Sequence, residues 1–185
     1  GLGDVYKRQD YRQWSSFEQA TMSFGYGLST SLLQLARAYT ALADDGLVHS
    51  VTLLQRDEDY QARRVYSAAN AQKVREMLEH VIKKDGTAYQ ARVAGFRVAG
   101  KTGTVKKATA GGYADKRYFA VFVGLAPVSS PRFVIAVMVD EPSAGDYYGG
   151  LVAAPVFAKV MAGALRVYGV TPDKEDTMPV LLTRR

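Results

Sequence analysis

The 185 residues contain no cysteine, which excludes disulfides, thiolate nucleophiles and cysteine-held metal sites. That absence suits an oxidising compartment without fixing one. Histidine is almost as scarce. His49 and His80 are the only two, far apart in the chain, and neither lies near a plausible nucleophile. Each reads as a surface or helix residue, so no metal and no cofactor are expected. No apolar run reaches the ~18 residues of a membrane span. The nearest, 151–170, is interrupted by Pro155, Lys159 and Arg166 and reads as a packed helix of a soluble domain. Basic residues are in modest excess, with a formal net charge of +6, but they come in short pairs such as Arg63-Arg64, Lys83-Lys84 and Lys106-Lys107. A nucleic-acid surface calls for a denser basic stripe with interleaved aromatics. Nucleic acid is therefore set aside, and the charge is read as a solvated surface that suits anionic polymer or lipid.

An initiator methionine is missing too. The opening GLGDVYKRQ does not blend with the residues after it and has the look of translated adapter sequence, so residues 1–9 are expected to be a non-native leader. Hydrophobic content of 48% over this length fits one globular domain. That domain is expected over 10–170, followed by a loose, aperiodic tail over 171–185.

A strand is expected over TMSFGY, residues 21–26. A helix comes next, capped by Ser29, Thr30 or Ser31, with Leu32, Leu35, Ala36, Tyr39 and Ala43 on one face and Gly46 closing it. Residues 51–66 read as extended pieces around a charged turn at 56–59. Ser67 caps a second helix, with Val74, Met77, Leu78 and Val81 as its core stripe. Strands are expected at 96–106, 117–125 and 132–139. Their short connections favour antiparallel neighbours, because a parallel crossover needs roughly a dozen residues. A last helix should start near Pro155, whose fixed φ suits a first helical turn. The fold class is accordingly α+β, an antiparallel sheet with helices packed on its faces.

The stretch GFRVAGKTGTVKK, 95–107, carries two overlapping motifs. Gly95, Gly100, Lys101 and Thr102 spell the G-x-x-x-x-G-K-T of a phosphate-binding loop. That loop needs a helix N-terminus directly after it. Here Phe96 to Ala99 look like strand, and Gly-Thr-Val-Lys-Lys-Ala is a poor helix start. The D-K-T-G-T of cation-pumping ATPases fails as well, since Gly100 stands where the aspartate nucleophile belongs. K-T-G-T on a strand has another use. Alternate side chains share a face, so the hydroxyls of Thr102 and Thr104 point together and can hold a carboxylate beside the charge of Lys101. Gly103 leaves the backbone bare for a substrate strand. The Thr104 N–H can then help to form an oxyanion hole, where one such donor is worth about 2.7–4 kcal/mol.

The segments TMSFGYGLSTSLLQLARAYTALADDG, VAGKTGTVKK, YFAVFVGLAPVSSPRFVIAVMVDEP and YYGGLVAAPVFAKVMAGALR resemble, in order, the C-terminal part of penicillin-binding protein transpeptidase domains. Within that family, SFGYG and DEPSAGDYYGG resemble the class B, division-specific (septal) peptidoglycan D,D-transpeptidases more than the elongation type. The resemblance implies a penicillin-binding protein/serine β-lactamase-like fold, here incomplete, and acyl transfer. An active-site serine attacks the D-Ala-D-Ala bond of a peptidoglycan stem peptide, and the acyl group passes to an amine on a neighbouring stem. It implies that Lys101 sits beside the hydroxyl of a second motif and attracts the terminal carboxylate. Thr102 and Thr104, flanking Gly103, would bind that carboxylate or the carboxylate of a β-lactam. Tyr118, Tyr147 and Tyr148 match an aromatic wall beside the cleft, while Gly149 and Gly150 shape the turn into the last helix. Asp140 and Glu141 suggest paired carboxylates, but adjacent strand-end residues are expected to point apart, so a loop role is assigned to them. The intact protein would be anchored in the inner membrane by an N-terminal helix, with this domain in the periplasm. There it would work with a lipid-linked glycan polymerase and other division proteins.

Two motifs of that family are absent. S-x-x-K supplies the nucleophile and the lysine thought to take its proton, and the second motif is S-x-N. No serine here has a lysine three residues later, and Asn70, the sole asparagine, has Ala68 two positions before it. The expectation is a C-terminal half that is inert alone, from a full-length enzyme. Two alternatives stay open: a non-catalytic penicillin-fold binding module, and a serine β-lactamase or carboxypeptidase relative that shares K-T-G.

Overall fold

The computed structural model describes residues 12, 14–23, 25, 29–54, 62–109 and 112–174. Helix α1 spans Ser16–Met22, so Thr21 and Met22 are helical where a strand was expected. The helical ladder starts early, with the Gln19 N–H donating to the Ser15 carbonyl, and six residues of alternation were too few to outweigh it. Phe24 and Tyr26 of that expected strand lie outside the described residues, as do the expected leader and the turn at 56–59.

Helix α2, Leu32–Ala43, opens on Ser31 with a full capping box: the Ser31 hydroxyl accepts from the Gln34 N–H, and the Gln34 side chain accepts from the Ser31 N–H. The chain leaves it through Asp45 and Gly46, both at positive φ. A Cβ on Gly46 would lie 2.1 Å from the Tyr66 carbonyl oxygen, because β1 (Leu47–Val48) and β2 (Arg63–Arg64) pair there. Ser67 caps helix α3, Ala68–Glu79. Its buried face matches the expected stripe only in part: Leu78, and Val81 just beyond the helix end, pack against the core. Ala71 and Arg75 are buried, while Val74 and Met77 are 36% and 66% exposed. The cause is polar: the Arg75 guanidinium donates to the Leu42 carbonyl and to Asp45 of the α2 exit, which turns that side of α3 inward.

The sheet is antiparallel in the order β3 (Ala99–Thr109), β4 (Gly112–Ala126), β5 (Phe133–Asp140). β3 begins later than the expected Phe96, because Val93 and Phe96 close a turn on Gly95 at positive φ. The β3–β4 hairpin runs on past the expected strand ends at 106 and 117, through the pairs Ala108–Tyr113 and Thr109–Gly112. Residues opposite each other in such a ladder share a face. Thr102, Thr104 and Lys106 oppose Phe122, Ala120 and Tyr118, and this is the face that α4 (Gly149–Val167) covers. Phe122 and Phe157, both fully buried, meet edge to face at 4.8 Å. Ala153, Ala154, Met161 and Leu165 complete that core. Each large apolar side chain buried there contributes about 1.5–3 kcal/mol. The opposite face, through Ala99 and Leu125, packs on Leu42 and Ala43 of α2 and Leu78 of α3. Helices thus cover both faces of an antiparallel sheet, the α+β class.

Helix α4 starts at Gly149, so Pro155 lies inside it and not at its first turn. A proline at this depth removes one bond, to the carbonyl of Leu151, a residue 44% exposed. By length and hydropathy α4 qualifies as a membrane span, which the reading of 151–170 did not anticipate, but it packs Phe157, Met161 and Leu165 into the core.

The entry to β3 is pinned. Arg97 forms a two-pronged ion pair with Glu79 at 2.8 and 2.6 Å, and its backbone N–H donates to Asp173. Asp173 also accepts from the Ser129 N–H and hydroxyl. The first part of the tail, 171–174, is therefore held and not loose, while 175–185 lie outside the described residues. Several large apolar side chains stay uncovered, including Val156, Val160 and Val167 on α4 and Met138 on β5. Exposed apolar surface of this kind favours loose packing and association. The isolated 185-residue chain should bind a hydrophobic dye and unfold over a broad range of temperature. A sharp, cooperative calorimetric transition would contradict this.

Candidate functional site

K-T-G-T lies wholly within β3, and β4 is the strand that pairs with it among the described residues. Its outer edge carries no strand among the described residues. The strand continues to Thr109 with no helix after Lys101-Thr102, so the phosphate-loop pattern is a coincidence of letters. Gly100 is there for space: a Cβ would lie 2.5 Å from Phe122 Cζ and 2.7 Å from the Val123 carbonyl oxygen.

Lys101 is exposed and projects from the face opposite Thr102 and Thr104. Its chain bends round the open edge, and Nζ donates to the Thr102 carbonyl at 2.9 Å and approaches Thr102 Oγ1 at 3.5 Å. Among the described residues it forms no ion pair, unlike Lys107, which is held by Asp140 and Glu141. Lys106, also exposed on this strand, likewise forms no ion pair among the described residues, but the ammonium placed against Thr102 is that of Lys101.

The first turn of α4 sits directly on the motif. A Cβ on Gly149 would lie 2.2 Å from the Val121 carbonyl oxygen and 2.7 Å from that of Gly103, and one on Gly150 only 1.9 Å from that of Thr87. Glycine is required at both. In this position the Gly149 N–H, one of the unpaired donors of a helix start, donates to Thr104 Oγ1 at 3.1 Å. An N–H can only donate, so the Thr104 oxygen is the acceptor and its proton is left for another partner. The positive end of the helix dipole adds to the same field. Thr102 Oγ1 meets Thr87 Oγ1 at 3.2 Å. Two hydroxyls, one ammonium group and an open strand edge form a cradle suited to a carboxylate.

The tyrosines come together as well. Tyr118 of β4 stacks on Tyr147 at 4.3 Å, and Tyr147 on Tyr148 at 4.5 Å. The Tyr147 hydroxyl donates to that of Tyr148 at 3.2 Å, and this bond is the main cause that pushes the Tyr147 phenol above its ordinary value. Tyr148 immediately precedes Gly149 and is 54% exposed, so the stack borders the Thr104 end of the cradle. The loop bearing Tyr147 and Tyr148 is clamped at its start. The Glu141 N–H donates to the Tyr118 carbonyl. Hydrogen bonds from Arg117 and Lys107 hold the Glu141 carboxyl down at about 2, despite its exposure. Asp140 and Glu141 thus share the Lys107 ammonium and converge on it. The two side chains therefore do not point apart as expected, because Lys107 draws both to one ammonium; together they anchor the loop's first residues.

The sequence-predicted residues Lys101, Thr102, Gly103, Thr104, Tyr118, Tyr147 and Tyr148 therefore occupy one end of the sheet. Sequence reasoning missed Thr87, and it read Gly149 as a turn former without its hydrogen bond to Thr104. No local pattern marks Thr87, whose contact spans fifteen residues.

Comparison with known proteins places this geometry. The model of the penicillin binding protein transpeptidase domain matches residues 1–162. A probable peptidoglycan D,D-transpeptidase, PenA, of Neisseria meningitidis is 45% identical over 95% of this chain and 30% of its own length. The peptidoglycan D,D-transpeptidase FtsI of Escherichia coli is 40% identical over 90% of this chain and 28% of its own. The apo structure of the TP domain of Burkholderia pseudomallei penicillin-binding protein 3 superposes with a TM-score of 0.84 at 47% identity, covering 94% of this chain and 52% of that one. The chain thus spans under a third of the length of these two curated relatives. With its K-T-G-T strand, stacked tyrosines and docked glycine helix, this chain belongs to the penicillin-binding protein transpeptidase domain family.

Proposed function

We propose that this chain is the C-terminal, carboxylate-binding part of a peptidoglycan D,D-transpeptidase of the septal division type. The observation that carries the reading is the donation from the Gly149 N–H to Thr104 Oγ1. Among the described residues, it leaves the Thr104 proton free on an open strand edge beside a lysine without an ion pair. In the full-length protein, Lys101, Thr102 and Thr104 bind the terminal carboxylate of a stem peptide, or that of a β-lactam. The Thr104 backbone N–H supplies an oxyanion donor, and Tyr118, Tyr147 and Tyr148 wall the cleft. The serine nucleophile comes from outside this sequence, which has no S-x-x-K. Acyl transfer then runs from serine attack on the D-Ala-D-Ala carbonyl, through release of D-Ala, to capture of the acyl group by a neighbouring amine. The working setting of the whole protein is the periplasmic side of an inner membrane, next to a lipid-linked glycan polymerase of the division machinery.

Labelling with fluorescent penicillin tests the reading. The 185-residue chain should take up no covalent label, while the full-length protein should be labelled on a serine of an S-x-x-K motif. Covalent labelling of the short chain would overturn the assignment of the nucleophile, and an unlabelled full-length protein would overturn the transpeptidase reading.

In the full-length protein, Thr104→Val should slow acylation by benzylpenicillin about tenfold, the scale of one hydrogen bond to a charged group. Gly150→Ala should slow it at least as much, because a methyl group 1.9 Å from the Thr87 carbonyl oxygen must lift α4 off the strand. Stopped-flow acylation rates check both, and unchanged rates would contradict the cradle.

A further inference from the structure

Thr87 is exposed and carries no role so far, yet its place is tightly fixed. The next residue, Ala88, is fully buried, and its N–H donates to the Val81 carbonyl at 3.0 Å. On the other side a Cβ on Gly86 would lie 2.2 Å from that same carbonyl oxygen, so the turn is drawn close. Gly150 roofs the Thr87 carbonyl. A surface threonine held this firmly, with its hydroxyl 3.2 Å from Thr102 Oγ1, has a defined direction.

We propose that Thr87 is a positioning residue of the carboxylate cradle: its hydroxyl donates to Thr102 Oγ1 and turns the Thr102 proton toward the ligand. This rests on the transpeptidase reading above and deepens it. A hydroxyl oxygen has two acceptor sites and one proton. The Lys101 ammonium, 3.5 Å from Thr102 Oγ1, can only donate. When Thr87 donates as well, both acceptor sites are taken and the proton is what Thr102 has left to offer. A carboxylate only accepts, so a bound anion selects this direction of the chain, and donation from Thr87 polarises the Thr102 hydroxyl further. Thr104 is set the same way by a backbone N–H. The two cradle hydroxyls are thus aimed by two different segments, and neither aiming group need touch the ligand.

The test uses the full-length protein with benzylpenicillin and with benzylpenicillin methyl ester, which lacks the anionic group, and follows acylation by intact-protein mass spectrometry. Thr87→Val removes the hydroxyl and keeps the shape, whereas Thr87→Ser keeps the hydroxyl. Thr87→Val should slow acylation by benzylpenicillin roughly five- to tenfold, the scale of one net hydrogen bond, and leave the rate with the ester unchanged. Thr87→Ser should restore the wild-type rate with both. A Thr87→Val protein that slows equally with both compounds shows a merely structural role and overturns the proposal. So does one that is as fast as wild type with benzylpenicillin. A wild-type protein that neither compound acylates sinks the transpeptidase reading, and this proposal with it.

Discussion

The site depends on one close approach, the first turn of α4 against β3 and β4 with no side chain between them. Gly149 stands where any Cβ would fall 2.2 Å from the Val121 carbonyl oxygen, and Gly150 where it would fall 1.9 Å from that of Thr87. Glycine inside a helix costs roughly 0.5–1 kcal/mol relative to alanine. Two in succession at a helix start make sense only if the approach itself is needed. It delivers the Gly149 N–H to Thr104, seats Tyr148 at the mouth of the cradle and holds the loop of Thr87 against the strand. Below it, the contact of Phe122 with Phe157 keeps the helix in register with the sheet.

Hydrogen-bond direction then gives the strand its chemistry. A threonine pair by itself is neutral in purpose, since a hydroxyl both gives and accepts. Here the oxygen of Thr104 faces an obligate donor, and that of Thr102 has a second obligate donor in the Lys101 ammonium. The Thr104 proton remains for something that accepts, and the Thr102 proton does so when Thr87 donates to it, as proposed above. The cations nearby divide by the same logic. Lys107 and Arg117 are compensated by Asp140 and Glu141, so they stiffen the loop carrying the tyrosines and offer little to an incoming anion. Lys101 has no ion-pair partner among the described residues, and its ammonium group reaches the open edge. Lys106 has none either among the described residues, so what sets Lys101 apart is its contact with Thr102.

Much of this was legible from the chain because it is local. The alternation of Thr102 and Thr104 follows from strand geometry, and Ser31 and Ser67 announced their helices through side chains that reach only three residues. The antiparallel sheet followed from short connections. What failed to show were contacts whose partners are distant in sequence. Arg75 is buried because Leu42 and Asp45 accept its protons. Asp173 looked like part of a loose tail because its donors sit at Arg97 and Ser129. Helix α4 was expected from Pro155, but a hydroxyl on another strand satisfies the donor at Gly149, and the helix therefore begins six residues earlier. In each case a tertiary partner overrode a sound local signal.

The same distances tie recognition to folding. Thr87 reaches Thr102 across fifteen residues and Gly149 reaches Thr104 across forty-five, and no local structure keeps these pairs together. The Gly149 bond persists only while α4 is docked, and Gly150 closes over Thr87 from the same turn. Helix α4 is docked by a core that fills one of its faces while Val156, Val160 and Val167 stay uncovered on the others. Whatever loosens that packing moves the Gly149 N–H before it breaks the strand, because β3 and β4 hold each other through their own ladder. The strand can therefore outlast the cradle. A molecule with K-T-G-T still in its hairpin but α4 adrift would keep the motif and lose the aim of its hydroxyls. On the proposed reading, carboxylate recognition is accordingly a property of helix docking, and the motif letters alone do not secure it.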